Sequence, residues 1–113
     1  MTWAQKFIIA AQIAAGMEYV HSLGIIHRDL KAANVLVSCS FGIPEVLQLM
    51  NGIAKICDFG LAIESSEAIG RVGTRAMMAP EVLRGESYGA SADVFSFGVL
   101  LLHLFYLRVP RDE

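Results

Sequence analysis

Cysteine is scarce in this 113-residue chain, with Cys39 and Cys57 the whole complement. There is no second pair and no histidine at ligand spacing, which argues against a zinc site and makes a reducing, cytoplasmic setting the expected one. Charge of either sign is also modest. Nine Lys and Arg stand against eleven Asp and Glu, a net charge of −2, so there is no basic footprint for nucleic acid or for an anionic membrane surface. Long apolar runs are missing as well. Val94 to Leu107 is mostly apolar over 14 residues, short of a bilayer span and better suited to a buried helix. Phe7 to Gly16 is small and apolar after Lys6, but Trp3 and Gln5 stand where a basic leader would begin, Gln12 interrupts the run and Glu18 follows it. Neither segment reads as a membrane or targeting element. No internal repeat or low-complexity tract is present.

What the chain does have is apolar content. Hydrophobic residues make up 55% of it, with a mean hydropathy of +0.52, far from the disordered class and enough for one small domain with a real core.

The stretch that carries chemistry is His27-Arg28-Asp29-Leu30-Lys31-Ala32-Ala33-Asn34, followed by Val35-Leu36-Val37. Its fixed positions, H-R-D-L-x-x-x-N, arise by chance in about one in a million eight-residue windows. Phosphoryl transfer gives such a polar loop between two apolar runs a reason to exist. Asp29 is suited to accept the proton of an attacking hydroxyl, and Asn34 offers an amide oxygen, a hard ligand for Mg²⁺. Lys31 can balance the charge that spreads over a transferring phosphate. The plainer reading is a polar turn with a capping Asp and a solvated Lys.

Thr2 to Ser22 reads as one helix, with Ile9, Ile13, Met17 and Val20 forming an apolar stripe, Thr2 as N-cap and Gly24 as the stop. Ile25-Ile26 then leads into the loop. Val35 to Val37 reads as a strand whose partner is Ile53 to Cys57. The connection between them, Ser38 to Gly52, is long for a hairpin. It reads as a tolerated insertion, a stretch of translated intron, or a docking insert. Asp58-Phe59-Gly60 follows the second strand, with a carboxylate placed to bind a metal and a glycine expected to take backbone angles other residues resist. Leu61 to Val72 has no clear period, contains Ser65-Ser66 and reads as a mobile loop. Ala79-Pro80-Glu81 should open a short helix, with Glu81 near its positive end. Gly85 to Gly89 is a polar connection. Val94 to Tyr106 is apolar nearly all round, the pattern of a helix inside a core.

H-R-D-L-x-x-x-N, Asp58-Phe59-Gly60 and Ala79-Pro80-Glu81, in that order, resemble the C-terminal lobe of a eukaryotic protein kinase, nearest to the tyrosine-kinase-like serine/threonine group. The resemblance implies a mostly helical α+β fold over residues 1–113. It comprises a helix, a catalytic loop at 27–37, a short β-hairpin carrying the insertion at 38–52, an activation segment at 58–81 and a buried central helix at 93–107. It also implies roles. Asp29 would be the base and Lys31 the lysine beside the transferred phosphate, while Asn34 and Asp58 would hold Mg²⁺. Leu36 would floor the adenine of ATP, supported by Leu100 and Leu104, and Cys57 would line the nucleotide pocket. His27 and Phe59 would stack in a column anchored by Asp93. Arg28 would receive a loop phosphate, making Ser65 or Ser66 the candidate activation site, or else two solvated serines. Thr74 would contact both Asp29 and Lys31. Met77 stands where the family commonly carries Trp or Tyr. His21 and His103 are read as structural.

The sequence holds no glycine-rich phosphate loop and no Val-Ala-Ile-Lys-like strand, and nothing follows the central helix where the family continues. An N-terminal kinase lobe or fused domains are therefore expected partners, and Glu81 would pair with an Arg beyond this chain. The expected function is ATP-dependent transfer of phosphate to a Ser or Thr of a protein substrate, with this chain alone inactive. The alternative is a catalytically incompetent, kinase-like binding fragment. A small-molecule phosphotransferase is disfavoured by Asp58-Phe59-Gly60 and Ala79-Pro80-Glu81.

Overall fold

A computed structural model of the chain describes residues 3–38, 53–64 and 68–106, with backbone alone at 36–38, 53 and 55. Thr2, the expected N-cap, lies outside the described residues, as do 39–52 of the expected insertion, Ser65, Ser66 and Leu107. Helix α1 runs Trp3–Ser22. Its stripe is as the spacing predicts, since Ile9, Ile13, Met17 and Val20 are all buried, and the chain leaves the helix through Gly24 at φ 73°. These side chains form one core with Leu30 of the loop and Leu100, edged by Val35, Ala54, Ile56, Phe97 and Leu104. Leu30 is fully buried, so the one large apolar residue of the polar loop pins it to the core.

Two small antiparallel sheets follow. In the first, β2 (Val35–Ser38) pairs with β3 (Ile53–Ile56), in register from Val35 opposite Ile56 to Ser38 opposite Ile53. The two ends of the insertion are therefore neighbours, and the Gln12 side-chain oxygen of α1 accepts the Ala54 N–H at 2.7 Å. The second strand stops one residue before the expected Cys57. The Cys57 N–H still donates to the Asn34 carbonyl, its counterpart in the same register, at 2.8 Å.

The other sheet departs from expectation. Strand β1 (Ile25–Ile26) pairs with β4 (Ile63–Glu64), Ile26 opposite Ile63. The stretch read as a mobile loop thus begins with a strand. Two residues are too few to show a period, so only the tertiary pairing reveals it.

A short 3₁₀ turn at Arg75–Met77 leads to α2 (Pro80–Leu83), with Pro80 in its first turn as expected. Helix α3 runs Ser91–Phe105. Its burial is one-sided: Ala92, Asp93, Ser96 and Leu100 are buried, while Val94, Phe95 and Leu102 are exposed. The expectation of a helix enclosed all round is corrected to one covered, among the described residues, where it faces α1 and the 75–83 stretch. Ser96 ties α3 to the turn before α2, its hydroxyl donating to the Met77 carbonyl at 2.6 Å, and Met77 itself is buried.

Candidate active site

The site is built outward from Asp93. This carboxylate in the first turn of α3 is 1% exposed, and burial without partners would be costly. It has three. Oδ2 accepts the backbone N–H of His27 at 2.8 Å, Oδ1 accepts that of Arg28 at 3.0 Å, and His21 Nε2 lies 2.8 Å from Oδ2. One side chain therefore holds two consecutive amides, and it gathers α1, the loop and α3 at one point. Arg28 sits at φ 70°, a left-handed conformation that costs a non-glycine residue about 1–2 kcal/mol. The pairing with Asp93 offsets that strain.

His27 is fully buried. Its Nδ1 accepts the Asp29 N–H at 3.1 Å, since a backbone N–H can only donate. The other nitrogen, Nε2, donates to the Cys57 carbonyl at 2.9 Å, and these two partners select the Nε2–H tautomer. The Phe59 ring stands edge-on to His27, centroids 4.7 Å apart at 63°. The implied column of His27 and Phe59 on an Asp93 anchor is present in this geometry.

Thr74 and Asn34 meet at Asp29, and Lys31 joins them through Thr74. Its Oδ1 accepts the Thr74 N–H at 3.2 Å and the Thr74 hydroxyl at 3.1 Å. Lys31 Nζ donates to that same hydroxyl at 2.8 Å, so Thr74 bridges the ammonium and the carboxylate. Asn34 Nδ2 donates to the Asp29 carbonyl at 2.7 Å and to Oδ2 at 3.2 Å. With both contacts being acceptors, the amide orientation is determined: nitrogen toward Asp29, oxygen away from it.

That orientation bears on a metal. Among the described residues the Asn34 Oδ1 accepts no hydrogen bond, and the Asn34 carbonyl takes the N–H of Cys57, the residue before Asp58. Asp58 is exposed. One amide oxygen and one accessible carboxylate fit a hard ion such as Mg²⁺, which takes one or two protein ligands and completes its shell with water and phosphate oxygens. No group of three or more His, Cys, Asp and Glu suited to a metal occurs among the described residues.

Gly60 differs from its expected role. The left-handed residue of this turn is Asp58, at φ 58°, and not Gly60. What Gly60 supplies is room: a Cβ there would lie 3.3 Å from Asp58 Oδ1, which accepts the Gly60 N–H at 3.4 Å. Leu36 pairs with Lys55 in the hairpin, and its side chain lies outside the described residues. Leu100 and Leu104 belong to the core cluster. Glu81 occupies the first turn of α2. Its charge adds to that of Glu86, whose hydrogen bond chiefly raises the Arg84 guanidinium above its ordinary value.

Arg28 shows what the sequence left unseen. Its Nε donates to the Leu61 carbonyl at 2.7 Å and Nη1 to the Tyr88 hydroxyl at 3.3 Å. Tyr88 lay inside what reads as a featureless polar connection, and a lone aromatic there was the one available signal. Ser65 and Ser66, the candidates for a phosphate on Arg28, lie outside the described residues.

Comparison with known proteins fits this geometry. The family model described as "Protein kinase domain" matches residues 2–113. A probable serine/threonine-protein kinase of Dictyostelium discoideum is 40% identical over 117 residues, covering 100% of this chain and 18% of that relative. Human mitogen-activated protein kinase kinase kinase 10 is 44% identical over 109 residues, covering 92% of this chain and 11% of the relative. Among solved structures, a chain of the yeast RNA Pol II CTD kinase CTDK-1 complex superposes with a TM-score of 0.81 at 33% identity, over 96% of this chain and 34% of that one. The chain thus spans at most 18% of the length of these curated relatives.

Proposed function

The chain belongs to the protein kinase domain family, and from that premise we propose that it carries the phosphoryl-transfer centre of a protein serine/threonine kinase. The observation that carries the reading is the Thr74 hydroxyl held between Lys31 Nζ at 2.8 Å and Asp29 Oδ1 at 3.1 Å. It sets a base and a cation on one small polar centre, the arrangement that in-line transfer to a hydroxyl requires. The acceptor is a Ser or Thr hydroxyl of a protein substrate and the donor is ATP. The acceptor oxygen forms the new bond to the γ-phosphorus and the bond to the β-γ bridging oxygen breaks, ADP leaving with the electron pair. Asp29 takes the acceptor's proton, and Lys31 balances charge on the transferring oxygens. Asn34 Oδ1 and the Asp58 carboxylate would hold Mg²⁺, which supplies charge neutralisation of the phosphates. The choice of Ser/Thr rests on Lys31 and Thr74 together with the kinds of relatives. The other contacts to the nucleotide are assigned to a further lobe or domain of the whole protein. A cytoplasmic setting belongs to the same proposal and rests on the sparse cysteines.

A purely binding role needs no base, lysine and metal-ligating pair in register, whereas catalysis needs all of them. The test is Asp29→Asn in the full-length protein. Removing the base should lower kcat by about 10²- to 10⁴-fold with KM for ATP little changed. Turnover equal to wild type would show that Asp29 is not the base.

A further inference from the structure

Tyr88 lies just ahead of α3 and reaches three separate points. Its hydroxyl donates to the Gly70 carbonyl at 3.0 Å and accepts from Arg28 Nη1 at 3.3 Å, while its backbone N–H donates to the Ala68 carbonyl at 3.2 Å. Arg28 in turn grips the Leu61 carbonyl through Nε at 2.7 Å. The segment that starts after Asp58-Phe59-Gly60 is therefore fastened near both ends, at Leu61 by Arg28 and at Ala68 and Gly70 by Tyr88. Gly70 is four residues before Thr74, the residue that meets Asp29. Arg28, Thr74, Tyr88 and Asp93 also line a single cavity of about 20 Å³, room for roughly one water molecule.

We propose that Tyr88 is a positioning residue for the transfer centre: its hydroxyl, bonded to both Arg28 and Gly70, holds the segment against the catalytic loop so that Thr74 meets Asp29, with no phosphate on the segment. The proposal rests on the kinase reading above. It acts through Arg28, whose N–H is bound by Asp93 and whose neighbour is Asp29. A guanidinium has five N–H donors, and these contacts use two of them. The phenol therefore supplies the fastening that a loop phosphate would otherwise have to provide, and it leaves donors over. Without the hydroxyl, Arg28 Nη1 and the Gly70 carbonyl each lose a partner, and the stretch leading to Thr74 is released on one side.

The experiment is Tyr88→Phe in the full-length protein, shown by intact mass to be unphosphorylated. Phenylalanine keeps the ring and deletes both hydroxyl bonds. Loss of about one hydrogen bond's worth of positioning lowers kcat roughly 5- to 10-fold, with KM for ATP unchanged. In an Arg28→Ala background the same substitution should cost nothing further, because the two act as one unit. A wild-type kcat in Tyr88→Phe, or losses that multiply across the two backgrounds, would overturn the proposal. Hydrogen exchange supplies a readout that does not depend on turnover: amides 68–74 should exchange faster in Tyr88→Phe while Ile13 in α1 is unaffected. Unchanged exchange at 68–74 overturns the clamp, and so does a rise that extends equally into α1. If the wild-type protein transfers no phosphate, the kinase reading fails, and exchange still decides the role of Tyr88.

Discussion

Gly73 is packed face-on against the carbonyl of Arg28. Its φ is 102°, and a Cβ built there would collide with that oxygen and come within 3.5 Å of Asp29 Oδ1. The residue before Thr74 is thus glycine for two independent reasons: a backbone angle that L side chains resist, and an approach too close for any side chain. Arg28 cannot yield, since Asp93 holds its N–H. Gly73→Ala is expected to push the segment away from the loop at a cost of about 1–3 kcal/mol or more. A lower melting temperature and a fall in turnover of at least tenfold in the full-length protein are the measurable signs.

Asp93→Asn tests the anchor. The amide is nearly isosteric but has one acceptor oxygen, while the native carboxylate serves the His27 and Arg28 N–H groups and faces His21 Nε2. One buried donor is left unpaired, which costs about 1–3 kcal/mol. Chemical denaturation should show that loss, and exchange at the His27 and Arg28 amides should accelerate ahead of exchange in the middle of α1. Protection that stays uniform would mean Asp93 does not hold the loop.

Thr74 separates its hydroxyl from its shape. Thr74→Val keeps the branched side chain and removes the bridge between Lys31 Nζ and Asp29 Oδ1. A catalytic pair displaced by about 1 Å can lose roughly 10²-fold in rate, so kcat should fall by between tenfold and a hundredfold. Thr74→Ser restores the oxygen and should recover most of that loss. Equal defects in the two variants would point to packing of the methyl group instead.

Much of this was legible in the sequence where the physics is local. The α1 stripe of Ile9, Ile13, Met17 and Val20 follows from helical periodicity, and the hairpin at Val35 and Ile53 follows from its apolar, β-branched composition. Asp29, Lys31, Asn34 and Asp58 are picked out by motif spacing, and the structure brings Asp29 and Lys31 to Thr74, Asn34 to Asp29, and the Asn34 carbonyl to the strand end before Asp58. Two of the misses share a cause. The β1–β4 pairing and the reach of Tyr88 to Arg28 both depend on residues far apart in the chain, whereas at Asp58-Phe59-Gly60 composition favours glycine for the left-handed position and the chain places Asp58 there. No window of neighbouring residues contains either long-range contact. The one-sided exposure of α3 at Val94, Phe95 and Leu102 belongs here too, because hydrophobicity predicts a buried helix without saying what lies against each face.

The bond from Asp93 to the His27 amide crosses 66 positions of sequence. On a ribosome adding about 5–20 residues per second, His27 is made roughly 3 to 13 seconds before the carboxylate that will hold it. Through that interval Arg28 has no reason to stay in its left-handed turn, and α1 has no Leu100 to cover its stripe. The helix that carries Asp93, translated after the loop it holds, is therefore the one that assembles this centre. A nascent chain stalled between β3 and α3 should present apolar surface to chaperones while having every residue of the His27–Asn34 loop already in place and none of its geometry.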